Sequence, residues 1–165
     1  MTQQMPIPIR FSSAPEIFDN AERLFNRVSS ELMSVLSEAE IHHVGSTAIR
    51  GTLTKGDLDI LVRAKPEAFE ACDRVLSETY ARNPGSDRTD EFSAFCDDTT
   101  DPPLGLQLVV SGSQYDSFLQ WRNLIRDDVE IRDEYDDLKR RFDGCPEAEY
   151  REAKGDFIEK HLGAI

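Results

Sequence analysis

The sequence contains few cysteines, no long apolar run and no excess of basic residues. Its three cysteines, Cys72, Cys96 and Cys145, lie far apart and form no C-x-x-C pair, so we expect reduced thiols and no zinc site. No apolar run approaches the roughly 20 residues that span a membrane. Residues 1–10 also lack the basic and apolar pattern of a secretion signal. We therefore expect a cytoplasmic protein without a membrane partner.

Acidic residues dominate the charge of the chain. Its 165 residues include 32 Asp and Glu against 19 Lys and Arg, which gives a net charge of −13. The phosphates of nucleic acids need a concentrated basic surface, so nucleic acid is not the expected partner. The acidic residues between positions 127 and 137 are predicted to form a solvated helix face. None of these features indicates an oligomeric state.

Hydrophobic periodicity predicts one α+β domain over residues 1–165, with a small mixed β-sheet and a helical C-terminal layer. The sequence Ser13-Ala14-Pro15-Glu16 is typical of a capping box, which predicts a helix from there to about Glu38. The other predicted elements are strands at 41–44, 58–62, 92–96 and 104–110, a helix that begins at Pro66, and three C-terminal helices that begin near Ser113, near Ile131 and at Glu147.

Two aspartates, Asp57 and Asp59, flank one leucine at the start of the second predicted strand. Residues i and i+2 of a strand point to the same face about 6.6 Å apart, so both carboxylates are expected to project together. Such a pair needs a cation, a partner or a water-filled cleft, because burial of an unpaired charge is costly. A shared Mg²⁺ that also contacts substrate phosphates would meet this need. The preceding Gly45-Ser46 turn offers backbone N–H groups and a hydroxyl to an anion.

A strand, a Gly-Ser turn, ten residues and then D-L-D on the next strand is the arrangement of the nucleotidyltransferase superfamily. The segments HHVGSTAIRG, FLQWRNLIRDD, EYDDLKRRF and YREAKGDFIEKHL resemble the GrpB-like family of that superfamily, over residues 41–162. The resemblance implies a minimal nucleotidyltransferase-like fold. Asp57 departs from the GrpB-like pattern, which many members read as K-P-x-I-D-I, and restores the fuller metal pair. The superfamily arrangement implies that Asp57 and Asp59 are catalytic carboxylates that bind Mg²⁺ or Mn²⁺. The implied reaction moves a nucleotidyl group from a nucleoside triphosphate to an unknown acceptor.

Five other residues are expected to bind the nucleotide or its phosphates: Gly45, Ser46, Lys55, Arg122 and Lys154. Alternatives stay open for the last three. Lys55 could pair with the aspartates, Arg122 could form a structural ion pair, and Lys154 could remain a solvated ammonium. Two carboxylates alone bind Mg²⁺ weakly, so the metal is expected only together with the nucleotide.

One position departs from the pattern of active superfamily members, which usually carry a third carboxylate on the strand at 104–110. The candidate position here is Gln107, whose amide cannot ionise and is a poor general base. The sequence therefore supports a second interpretation, a nucleotide- or phosphate-binding module or sensor without catalysis. Both interpretations require Asp57, Asp59 and Gln107 to share one cleft against the C-terminal helices.

Overall fold

The computed structural model of the protein describes residues 5–163, and within this range no helix is long and apolar enough to cross a membrane. Short 3₁₀ turns occupy Ser46–Ala48 and Pro66–Ala68. In chain order the other described elements are α1 (Pro15–Val35), β1 (Ala39–Val44), β2 (Leu58–Ala64), α2 (Phe69–Thr79), β3 (Ala81–Arg82), β4 (Phe92–Asp97), β5 (Leu104–Val110), α3 (Phe118–Asp127), α4 (Val129–Phe142) and α5 (Glu147–Leu162).

The strands form one mixed sheet with the order β1-β2-β5-β4-β3. The pair β2 and β5 is parallel, and the other neighbouring pairs are antiparallel. A parallel pair needs a long crossover connection, which here contains α2, β3 and β4. The predicted α+β class is confirmed, with residues 41–44, 58–62 and 104–110 in one mixed sheet.

Different helices cover the two faces of the sheet. On one face, α1 and α2 pack against the strands around a core that includes Leu58 and Ile60. On the other face, Leu61 of β2 packs in a cluster with Phe118 of α3. Because successive residues of a strand point to opposite faces, Asp59 lies on the same face as Leu61. Asp59 therefore points towards the layer of C-terminal helices.

The capping box predicted at the start of α1 is not observed. Ala14 occupies the N-cap, and alanine has no side chain that can accept a hydrogen bond. The Ser12 hydroxyl instead accepts a hydrogen bond from the Ala14 backbone at 3.2 Å. The helix then ends at Val35, three residues before the predicted end.

The predicted start of α3 near Ser113 is also wrong, because the helix begins at Phe118. The preceding residues form a turn around the Asp116 carboxylate. Asp116 accepts a hydrogen bond from the Gly112 backbone at 2.8 Å and two from the Arg63 guanidinium at 2.9 and 2.7 Å. Asp116 thus ties the beginning of α3 to β2.

The segment at residues 8–12, here called the N-terminal strap, crosses one end of the molecule. Ile9 donates to the Cys145 backbone at 2.9 Å and accepts from the Gly144 backbone at 2.8 Å. Ser12 and Thr54 exchange two backbone hydrogen bonds of 2.9 Å. The strap therefore connects the loop before β2 with the turn between α4 and α5.

Candidate functional site

One cleft of about 270 Å³ lies between the sheet and the C-terminal helices. This volume is close to the lower end of the roughly 300–1,000 Å³ that small-molecule sites occupy. Residues of the strap, of β2 and β5, and of α3, α4 and α5 line it. The cleft brings together every residue predicted for the site: Gly45, Ser46, Lys55, Asp57, Asp59, Arg122 and Lys154.

Asp59 lies at the floor of the cleft between two glycines. Gly45 follows Val44, the strand partner of Asp59, and has a φ of 75°, a conformation that favours glycine. A Cβ atom at position 45 would overlap the Asp59 carboxylate, and a Cβ at Gly105 would lie 2.9 Å from its Oδ1. The two glycines therefore leave the space that the carboxylate occupies.

The surroundings of Asp59 favour its neutral form. Burial raises the pKa of the carboxyl group. Lys154 opposes this shift, the negative charge of Asp57 adds to it, and Lys55 and the Gln107 side chain oppose it more weakly. Burial prevails. A cation bound next to Asp59 would offset this penalty and favour the ionised carboxylate.

Asp57 enters the cleft from the loop before β2, because the strand begins at Leu58. The spacing of i and i+2 residues within a strand, which was expected to place the two aspartates on one face, therefore does not apply to Asp57, although both line the same cleft. The Lys55 ammonium lies 3.1 Å from Oδ2 of Asp57 and 2.7 Å from Oε1 of Glu147. Burial alone would lower the pKa of Lys55, but its contacts with Glu147 and Asp57 outweigh burial and raise it. Lys55 is thus paired with an aspartate, which is one of its two predicted roles.

Gln107 lies beside Asp59 on the same face of the sheet. The register pairs Asp59 with Gly105 and Leu61 with Gln107, so the two side chains come from neighbouring strands. Both line the cleft, as predicted. The amide oxygen Oε1 of Gln107 is buried and has no hydrogen-bond partner among residues 5–163. A buried acceptor without a partner costs about 1–3 kcal/mol, so this oxygen is a candidate to bind a ligand or a metal ion.

Arg122 and Lys154 supply positive charge on the helical side of the cleft. Arg122 donates to the His43 backbone oxygen at 3.0 Å and to the Asn123 side chain, and in the described part of the chain it forms no ion pair. Burial lowers the pKa of Arg122, and the charge of Arg126 adds to this effect. The structural ion pair considered for Arg122 is therefore not observed, and its guanidinium remains able to bind an anion.

A buried lysine that the sequence analysis did not identify supports the turn at Ser46. Lys139 is 1% exposed, and its ammonium donates to the Leu53 carbonyl at 2.6 Å, to Ser46 Oγ at 3.1 Å and to Asp136 Oδ1 at 3.4 Å. Asp136 also accepts from the Thr52 hydroxyl at 2.6 Å and from the Leu53 backbone at 3.0 Å. Asp136 is therefore buried, which corrects the prediction that all acidic residues between 127 and 137 face solvent.

The helical wall of the cleft is aromatic. The hydroxyls of Tyr135 and Tyr150 lie 3.1 Å apart, and Trp121 meets Tyr135 edge-on at a centroid distance of 5.4 Å. Phe11 of the strap meets Tyr150 edge-on at 5.0 Å. Burial raises the pKa of Tyr135 to about 12, so its hydroxyl keeps its proton at neutral pH. The wall thus offers apolar rings and hydroxyl donors to a ligand.

The pattern of α4 does contain a signal for Lys139. Tyr135, Leu138 and Phe142 form the apolar stripe of this helix, and Lys139 lies on the same stripe four residues after Tyr135. A lysine on a buried helix face indicates a specific partner, because an unpaired ammonium is costly to bury. Phe11 has no comparable signal, because the strap lies outside the periodic segments.

The residues present fit a Mg²⁺ ion that is bound together with a phosphate-bearing ligand. The carboxylates of Asp57 and Asp59 and the Oε1 atom of Gln107 are oxygen donors of the kind that Mg²⁺ prefers. Among residues 5–163 no group of three or more His, Cys, Asp or Glu side chains is placed to hold a metal ion. The remaining ligands of an octahedral shell would therefore come from phosphate or water.

Comparison with known proteins establishes the family. Residues 17–163 match the family model described as GrpB protein, so the chain belongs to the GrpB family, as the resemblance predicted. A UPF0157 protein of Vibrio cholerae serotype O1 is 32% identical to it over 157 residues, which are 94% of this chain and 82% of that protein.

Solved structures are also similar to this chain. The crystal structure of the conserved protein GrpB from Enterococcus faecalis has a TM-score of 0.60 and 14% identity, over 86% of this chain and 94% of that chain. This likeness shows that the two chains share a fold. The Cid1 poly(U) polymerase with MgGTP bound gives a TM-score of 0.48 at 12% identity, over 72% of this chain and 40% of that one.

Proposed function

We propose that this protein binds a nucleoside triphosphate together with Mg²⁺, or Mn²⁺, in the cleft and transfers a nucleotidyl group to an acceptor. The observation that carries the proposal is the convergence of Asp57, Asp59, Ser46, Arg122 and Lys154 in one cleft. The carboxylates come from the sheet side, and the two cations come from α3 and α5. This separation of charge suits a ligand that carries both phosphates and a metal ion.

The proposed phosphate-binding part consists of the turn and the two cations. The backbone N–H groups of the Gly45-Ser46 turn can donate to a phosphate. The Ser46 hydroxyl, Arg122 and Lys154 donate hydrogen bonds to phosphate oxygens, which are strong when a charged group takes part. The aromatic wall around Trp121 provides a surface against which a base can stack.

The proposed metal ligands are Asp57 and Asp59. When bound, Mg²⁺ would neutralise charge on the phosphate oxygens and orient the triphosphate. Asp59 suits this role because burial makes a neighbouring cation favourable. Asp57 would exchange its contact with Lys55 for the metal ion, and Glu147 would keep Lys55 in place through their 2.7 Å contact.

Melting temperatures test the binding step. Mg²⁺ alone and each of the four nucleoside triphosphates alone are expected to shift the melting temperature little, and the two together are expected to raise it. The variant Asp57→Asn/Asp59→Asn should lose this synergy. The variant Asp98→Asn/Asp133→Asn, which changes the net charge equally at exposed positions, should keep it. A nucleotide shift that needs no metal and persists in the site variant would contradict the proposal.

Labelled nucleotides test the transfer step. Wild-type protein, Mg²⁺, an α-labelled nucleoside triphosphate and a cell extract as the source of acceptor are expected to yield a labelled product and free pyrophosphate. Asp59→Asn should abolish both, because the metal loses a ligand. Equal labelling by wild type and Asp59→Asn would mean that the product arises at another site or in the extract.

A second candidate function is nucleotide or phosphate binding without turnover, as in a sensor. The observation that favours it is Gln107, which stands beside Asp59 and cannot accept a proton as a general base. This candidate predicts stabilisation by nucleotide and Mg²⁺ but no labelled product and no pyrophosphate under any metal condition. Product formation in the labelling experiment would exclude it.

A further inference from the structure

Two hydrogen-bonded groups of polar side chains lie at the base of the cleft. In one, the Lys139 ammonium lies 3.1 Å from Ser46 Oγ. In the other, the Tyr135 hydroxyl lies 3.1 Å from that of Tyr150. Ser46, Tyr135 and Tyr150 line the cleft, whereas Lys139 lies behind them.

Lys139 constrains the direction in which the Ser46 hydroxyl points its hydrogen. A lysine ammonium has three hydrogens and no lone pair, so it can only donate. Its neighbours Leu53 O, Ser46 Oγ and Asp136 Oδ1 must all accept. The Ser46 oxygen therefore uses a lone pair on Lys139, and its own hydrogen points away from the lysine. That hydrogen is left for a ligand in the cleft.

We infer that Lys139 is a positioning residue for anion binding: it donates to Ser46 Oγ and thereby directs the Ser46 hydroxyl to donate to a phosphate group in the cleft. Lys139 does not touch the anion. The inference rests on the proposed function, because it requires a phosphate-bearing ligand in this cleft. Lys139, which is not among the predicted site residues, thus adds a buried positive charge to the site.

The groups that face Lys139 come from three directions. Asp136 and the ring of Tyr135, whose centroid lies 4.0 Å from Nζ, belong to α4. Ser46 and the Leu53 carbonyl belong to the segment between β1 and β2, and Lys154 of α5 acts on it as a repelling charge. Burial lowers the pKa of Lys139 to about 8, and Asp136 opposes this shift.

A phosphate that accepts from Ser46 adds negative charge near Lys139 and so favours the ammonium. Binding of the anion should therefore raise the pKa of Lys139, and by linkage deprotonation of Lys139 should weaken binding. Neutral lysine has a lone pair and can accept from Ser46, which would turn the Ser46 hydrogen away from the ligand. A mildly alkaline solution is thus expected to weaken the anion site without any change in the ligand.

The test uses MgATP, because nucleotide is expected to bind well only together with the metal ion. Phosphate groups with a second pKa of about 6 keep a constant charge above about pH 7.5. Calorimetry at pH values between about 7.5 and 9.5 should show wild-type affinity falling about tenfold, which equals about 1.4 kcal/mol. Lys139→Met should bind MgATP more weakly at the lower pH and show no such fall. The control Lys160→Met removes an exposed lysine from α5 and should keep the wild-type pH profile.

A second measurement does not depend on the folding of Lys139→Met. In protein with isotope-labelled lysine side chains, the NMR titration of Lys139 should move to higher pH when MgATP saturates the protein. Ser46→Ala should bind MgATP more weakly and abolish this movement. An MgATP affinity that is flat with pH, a pH profile retained in Lys139→Met, or a Lys139 titration unaffected by MgATP would each overturn the inference. Absence of MgATP binding at every pH would instead refute the proposed function, and with it this inference.

Discussion

The carboxylate of Asp59 lies directly against the bare Cα of Gly45. The two residues are held together by the β1–β2 register, which pairs Asp59 with Val44, the residue before Gly45. A Cβ atom at position 45 would overlap the carboxylate, and the φ of 75° at Gly45 is strained for any other residue. One glycine thus fixes both the shape of the turn and the position of the carboxylate.

Gly45→Ala is expected to lower the free energy of unfolding by about 2–4 kcal/mol, because backbone strain and overpacking act together. Urea denaturation measures this change. Gly51→Ala is the matched control, because Gly51 has a φ of 91° but a Cβ added there would meet no heavy atom within 4 Å. The control should cost only about 1 kcal/mol of backbone strain. Equal losses in both variants would mean that the contact with Asp59 contributes nothing.

Asp116→Asn is expected to destabilise the protein by about 2–3 kcal/mol. The change removes the buried carboxylate partner of the Arg63 guanidinium, which keeps only the more exposed Glu40, and weakens the hydrogen bond from the Gly112 backbone. Asp127→Asn, which breaks an exposed pair with Arg126, should change the free energy of unfolding little. Chemical denaturation compares the two. A loss at Asp116 no larger than that at Asp127 would show that the turn before α3 does not depend on this carboxylate.

Arg122→Leu is expected to weaken the binding of MgATP about tenfold or more, because a guanidinium bond to phosphate is charge-assisted. The melting temperature of the free protein should fall modestly, because Arg122→Leu loses the hydrogen bonds to the His43 backbone oxygen and the Asn123 side chain but leaves no carboxylate unpaired among the described residues. Arg126→Leu, on the next turn of α3 and paired with Asp127, should bind MgATP like the wild type. Fluorescence titration with a labelled nucleotide measures both variants. Equal affinities would remove Arg122 from the proposed site.

Lys139 should make the protein more stable as the pH rises, while anion binding weakens. Its pKa is about 8 in the folded state and 10.5 in the unfolded reference, so between these pH values the unfolded chain holds a proton that the folded chain has lost. By linkage, the free energy of unfolding should rise across this window, by at most about 3 kcal/mol. Below about pH 8 both states are protonated and this contribution is constant.

The pH effect is read as the difference in unfolding free energy between wild type and Lys139→Met, since titration of all other groups largely cancels in this difference. Urea denaturation at several pH values between about 7 and 10.5 gives the difference. As the pH rises, the unfolding free energy of the wild type should increase relative to that of Lys139→Met. A difference that stays constant would mean that the pKa of Lys139 is the same in the folded and unfolded states.

The sheet and the carboxylate side of the cleft could be predicted from the sequence because their signals are local. β5 shows clear alternation, and its predicted bounds agree with the structure. Asp57, Asp59 and the Gly45-Ser46 turn stand out as polar or small residues among buried apolar ones. The predicted proximity of Gln107 to Asp59 followed from placing their two strands in one sheet, and the parallel β2–β5 register confirms it.

The buried polar network could not be predicted in the same way, because its partners are far apart in the sequence. Asp136 and Lys139 stand in a highly charged segment that is typical of a solvated helix. Their acceptors and donors at residues 52 and 53 lie more than 80 residues earlier. The strap was missed for a similar reason, since backbone bonds to Thr54 and Cys145 leave no pattern of side chains.

The strap has a consequence for how fragments of this protein should be cut. The region that matches the family begins at residue 17, downstream of the strap. A fragment trimmed to that region would lose Phe11 from the cleft wall and the backbone bonds at Thr54 and Cys145. The fragment would lack the strap that connects the loop before β2 to the α4–α5 turn. Ligand affinities measured on such a fragment would describe a looser, wider site than the one in the longer chain.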